Sequence, residues 1–74
     1  MISKKTKIDN HDIDIEIIGN TGVVYFSYNN NYAITNFFYD IELKKFVSFD
    51  YYKPTQRQLN YIEQHILKLS KQLI

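Results

Sequence analysis

Hydrophobic and polar positions alternate most cleanly in the stretch DIDIEI, where Ile13, Ile15 and Ile17 interleave with Asp12, Asp14 and Glu16. Successive side chains of a strand point to opposite faces, so this stretch predicts a strand with one buried and one wet side. Gly19-Asn20-Thr21-Gly22 follows as a turn, because Gly and Asn tolerate positive φ. Val23 to Tyr28, rich in β-branched and aromatic residues, predicts a second strand. Asn29-Asn30-Asn31 breaks the pattern as a short hairpin loop. Tyr32 to Asp40 then reads as a third strand, Ile41 to Lys45 as a polar connection, and Phe46 to Tyr51 as a fourth strand.

The period then changes. Leu59, Ile62, Ile66, Leu69 and Leu73 recur at helical spacing, with no Gly or Pro among them. Thr55-Gln56-Arg57-Gln58 after Pro54 fits a capping box, with Thr55 as N-cap and Gln58 at the third helical position. A helix from about Thr55 to Gln72 spans roughly 27 Å at 1.5 Å per residue, enough to cross a four-stranded sheet. The expected fold class is α+β: a four-stranded antiparallel β-meander with one C-terminal α-helix packed on one face. Residues 1–74 form a single domain, and residues 1–7 read as a mobile basic arm that can also extend the first strand.

Registers follow from loop lengths. With Ile18 opposite Val23, Ile17 meets Val24, Ile15 meets Phe26 and Ile13 meets Tyr28. A three-residue loop at Asn29–Asn31 sets Phe26 opposite Ile34. Pairing Asp40 with Lys45 sets Phe38 opposite Val47 and Asn36 opposite Phe49. Nearly every strong apolar position then shares the helix-covered face, with Asn36 the exception. A one-residue slip would reverse the set.

The same registers define an uncovered face. It carries Asp12, Asp14 and Glu16, then Val23, Tyr25 and Ser27, then Ala33, Thr35, Phe37 and Tyr39, and finally Phe46, Ser48 and Asp50. Val23, Phe37 and Phe46 form an apolar row beside Ile18, rimmed by tyrosines and by the acidic strand. An open antiparallel face with scattered apolar groups is ordinary. A contiguous apolar patch marks an interaction site, and Tyr is enriched in interfaces.

Composition narrows the function classes. The chain has 74 residues, nine Lys and Arg against eight Asp and Glu, and no Cys. Disulfide staples and thiolate zinc sites are excluded. So small a domain has thin stability, which makes a homodimer the expected source of support. Balanced charge gives no general field for nucleic acid. No apolar run approaches a membrane span and Met1-Ile2-Ser3-Lys4-Lys5 lacks a secretory h-region, so the expected location is the cytoplasm of a bacterial host cell. Ile, Lys, Asn, Tyr and Phe, all read from A/T-rich codons, make up more than half the chain. That bias fits a low-GC bacterium, its phage or a mobile element.

Candidate chemistry is sparse. His11 and His65 are the only histidines, and neither sits in a nucleophile motif. Carboxylates alternating along a strand lie ~6.5–7 Å apart, too far to share one metal ion closely. The two glycines bracket one turn and form no phosphate loop. No enzyme activity, cofactor or metal is expected.

The resulting expectation is a non-enzymatic protein-binding module, a homodimeric inhibitor or modulator from a phage or mobile element that occupies a basic surface of a host or defence component. Asp12, Asp14 and Glu16 steer the encounter, and Val23, Tyr25, Phe37, Tyr39 and Phe46 supply the contact. The alternative is a nucleic-acid-binding accessory domain using Lys4, Lys5, Lys7, Tyr51, Tyr52, Lys53 and Arg57.

Overall fold

The computed structural model describes residues 2–28, 34–49 and 53–72. Among them the chain forms β1 (Ile2–Ile8), β2 (His11–Ile18), β3 (Thr21–Tyr28), β4 (Ile34–Asp40), β5 (Lys45–Val47) and α1 (Gln56–Lys71). The strands build one antiparallel meander in chain order, with the helix against one face. The α+β meander with a C-terminal helix is therefore the fold, with five strands in place of four.

The extra strand is β1, which occupies the segment that reads as an arm. It pairs along its length with β2, from Ile2 opposite Ile17 to Ile8 opposite His11. Asp9 and Asn10, both at positive φ, close the hairpin with the two-residue geometry whose twist suits flanking strands. Lys4 and Lys5 occupy opposite faces of β1, so its sequence lacks the alternation that marks β2.

The β2–β3 hairpin is tighter than loop composition suggests. Gly19 alone takes positive φ, Ile18 lies opposite Thr21, and Ile15 therefore meets Val24. The two-residue offset from the expected register keeps every side chain on its face. The β3–β4 ladder differs by a single residue, with Phe26 opposite Thr35 and not Ile34. That odd shift turns β4 over. Phe37 and Tyr39 face the helix and are fully buried, whereas Phe38 faces away and is 38% exposed. Asn36 also faces away, opposite Tyr25. The expected register put the Asn36 amide in the core, a costly burial that the slip removes.

Asp40 does pair with Lys45, and Phe38 with Val47. The Asp40 carboxylate accepts a 2.9 Å hydrogen bond from the Leu43 amide, and Lys44 at positive φ turns the chain back. β5 stops at Val47. Ser48 takes positive φ, breaking the alternation, so Phe46 and Phe49 both return to the core side. There Phe37 lies 5.7 Å from Phe46 and 5.1 Å from Phe49 between ring centroids, and Tyr39 lies 4.7 Å from Phe46. The expected Asn36–Phe49 pair does not form within the observed ladder.

The helix obeys its sequence signals. Thr55 Oγ1 accepts from the Gln58 amide at 3.2 Å, and Gln58 Oε1 accepts from the Thr55 amide at 2.9 Å. Leu59, Ile62, Ile66 and Leu69 bury their side chains against Ile13, Ile15, Ile17, Val24 and Phe26. Each such side chain fully removed from water contributes about 1.5–3 kcal/mol relative to exposure. Gly22 lets this layer close. A Cβ there would stand 3.1 Å from Ile66 Cδ1. Leu73, the last member of the stripe, lies outside the described residues.

Polar links fix the helix over the sheet. Thr6 Oγ1 and the Tyr61 hydroxyl are 2.8 Å apart, and the Tyr39 hydroxyl donates to Glu63 Oε2 at 2.6 Å. Arg57 meets Asp9 at 2.6 Å. Gln58 Nε2 lies 3.2 Å from His11 Nδ1 in the core. Because Gln58 Oε1 already takes the Thr55 N–H, the amide nitrogen is the donor and His11 Nδ1 the acceptor. His11 also meets Phe26 edge-on at 4.8 Å.

Candidate functional site

The uncovered sheet face is built in rows by the strand registers. One row runs across all five strands: Ser3, Glu16, Val23, Phe38 and Val47. The row beside it is Lys5, Asp14, Tyr25 and Asn36, and beyond that Lys7, Asp12 and Ser27. On the other side stand Ile18, Thr21, Asp40 and Lys45. The face thus has an apolar end, where Ile18 and Phe38 are exposed, and a charged end. Leu43, 62% exposed in the β4–β5 turn, stands next to the apolar end in the chain.

Five of the eight residues expected to bind a partner are on this face: Asp12, Asp14, Glu16, Val23 and Tyr25. The other three are corrected. Phe37 and Tyr39 lie in the core through the β4 slip, and Phe46 is half-buried against them on the helix side. Their places on the open face are taken by Phe38 and Val47. The expected apolar row keeps Val23 and exchanges Phe37 and Phe46 for those two.

Charge on the face is more compensated than the acidic strand suggests. Lys7 Nζ lies 3.6 Å from Asp12 Oδ1, and Lys5 stands opposite Asp14. Glu16 differs, having Ser3 on one side and Val23 on the other. A negative field persists there. The Glu16 charge, together with burial, a hydrogen bond to Glu16 and the Asp14 charge, holds the Tyr25 hydroxyl above the ordinary tyrosine range. Asp14, Glu16, Tyr25 and Ser27 line an open hollow of about 410 Å³, and Lys5, Asp12 and Asp14 border another of about 300 Å³. A cation set beside Glu16 meets a carboxylate at once and an apolar strip one strand away.

The described residues of the nucleic-acid alternative stand in different places. Lys5 and Lys7 point to the open face, and Lys4 to the helix side of β1. Lys53 sits over the Phe49 ring at 5.3 Å, and Arg57 is bound to Asp9. Tyr51 and Tyr52 lie outside the described residues. Among the described residues no group of three or more His, Cys, Asp or Glu side chains is placed to hold a metal ion. No helix among them is long and apolar enough to cross a membrane.

No protein family, curated protein or solved structure matches the chain.

Proposed function

We propose that this chain is a small non-enzymatic protein-binding module whose uncovered sheet face docks on a partner that presents apolar side chains beside a basic group. The observation that carries this reading is the row Glu16–Val23–Phe38–Val47, which places a carboxylate with no lysine opposite it in line with exposed apolar surface. Burying Phe38 and Val23 supplies contact area, while Glu16 sets register and orientation through a charged partner. Asp12 and Asp14 contribute less than Glu16, because lysines already offset them.

The wider reading, a phage or mobile-element protein that occupies a host or defence component, is supported by small size and A/T-biased composition alone. Homodimer formation is the competing use of the same face, and it draws support from the limited core of so short a chain. Affinity purification from the source cell tests the reading. The wild-type chain retains a protein partner, and Phe38→Asp and Glu16→Lys each lose it without altering the unfolding midpoint. A partner retained by both variants would contradict the proposal. A wild-type chain that sediments as a dimer and captures only itself would assign the face to self-association.

A further inference from the structure

The two edges of the sheet are protected unequally. β5 has three residues, and the positive φ of Ser48 ends it at once. β1 has seven residues and pairs with β2 without a bulge or proline; among the described residues no strand lies beyond it. An uncovered edge of that length presents a row of backbone donors and acceptors to any extended chain. Among the described residues, what guards this edge is its exposed lysines.

Those lysines also select a partner. Lys4, Lys5 and Lys7 are all exposed, with Lys4 on the helix side and Lys5 and Lys7 on the open side. Two copies joined edge to edge by a two-fold axis would set one lysine cluster against the other, which disfavours self-pairing. The helix flank above this edge adds one lysine. Thr6 bonds to Tyr61, the Tyr61 ring lies 4.4 Å from His65, and Lys68 follows one turn after His65 on that flank. The nearby carboxylates offset part of this charge. Asp12 and Asp14 sit on β2 beside Lys7 and Lys5, Glu16 sits opposite Ser3, Asp9 is held by Arg57, and Glu63 is held by Tyr39 across the helix, which leaves Lys4, opposite Ile15, and Lys68 with no ion pair among the described residues.

The geometry points to the outer edge of β1 as the site where an extended, acidic segment of another polypeptide adds as a sixth strand. Main-chain hydrogen bonds give the affinity, and carboxylates alternating along the added strand meet Lys5 and Lys7 on one face or Lys4 on the other. A nucleic-acid strand would answer the positive charge but not the peptide ladder. The site borders the uncovered face but is read at the backbone of β1, whereas docking on that face is read at Val23 and Phe38 of β3 and β4, so the two fail distinguishably.

The experiment uses the full chain labelled with 15N and a blocked eight-residue peptide of alternating glutamate and threonine. Amide shifts confined to β1 and to the Tyr61–Lys68 flank, weakening as salt rises, are expected. A version N-methylated along one edge binds at least about tenfold more weakly, since it cannot complete the ladder. A lysine-for-glutamate version does not bind. The assignment is overturned if the glutamate peptide leaves β1 unshifted, if it shifts Val23 and Phe38 instead, or if the N-methylated version binds equally well. It is also overturned if an oligothymidylate of equal charge binds the same residues more tightly than the peptide.

Discussion

Phe37 stands opposite Val24 in the β3–β4 ladder, and neither side chain is exposed to water. The next residue, Phe38, stands opposite Val23 on the other side of the sheet. Two adjacent phenylalanines therefore do different work, one inside the core and one on the candidate docking face.

Truncating the two rings separates those roles. Phe37→Ala removes a ring packed against Phe46 and Phe49, and large-to-small changes of this kind cost about 3–5 kcal/mol. Phe38→Ala acts on a partly exposed ring, and the expected loss is below about 1 kcal/mol. Urea unfolding of both variants reads the difference directly. A larger loss for Phe38→Ala than for Phe37→Ala would mean that β4 is turned the other way.

The close approach of Gly22 to Ile66 makes a coupled pair. Gly22→Ala drives a methyl against Ile66 Cδ1 and Cγ2, and overpacking costs about 1–3 kcal/mol. Ile66→Val deletes the Cδ1 atom nearest to that methyl. The double variant is expected to be more stable than the sum of the two single losses implies. Simple additivity would show that the helix moves away instead.

How far the sequence alone specifies this fold depends on the segment. The alternation of Ile13, Ile15 and Ile17, the Thr55–Gln58 box and the stripe from Leu59 to Leu69 each combine a clear period with local chemistry, and all three specify their elements. β4 lacks that clarity. Phe37, Phe38 and Tyr39 offer rings to both faces, so one residue of loop length decides which face is buried. Asn36 held the available clue, because only the observed register leaves its amide outside. β1 was obscured by lysines on both sides, and Phe49 by the positive φ at Ser48, which no residue type there announces. The acidic side of the candidate site was readable from β2 alone. Its apolar side depended on the β4 slip and was not.

Gln58 serves the helix cap and the core together. Thr55→Ala is expected to cost about 1 kcal/mol, the usual loss for removing an N-cap side chain. Gln58→Ala costs more, because the Thr55 amide loses its acceptor and His11 loses the buried Gln58 donor. The same geometry assigns the neutral His11 imidazole its proton on Nε2. Imidazole 15N shifts at neutral pH read this, and a proton on Nδ1 would contradict the Gln58 orientation.

Tyr39 makes stability sensitive to alkali. Burial first, then its hydrogen bond to Glu63 and the Glu63 charge, hold its hydroxyl above the ordinary tyrosine value of 10.0. A raised folded value means that this contribution is complete below pH 10 and declines as pH rises beyond it. Wild type is expected to lose stability above that pH faster than Tyr39→Phe. Parallel alkaline profiles for the two proteins would show that Tyr39 ionises as freely in the fold as in the unfolded chain.

Placing a photo-crosslinking phenylalanine analogue at position 38 in one protein and at position 46 in another, within the source cell, tests the docking face most directly. Position 38 is expected to form an adduct with a partner protein and position 46, half-buried against Phe37 and Tyr39 on the other side of the sheet, to form none. An adduct from position 46 with none from position 38 would contradict the account.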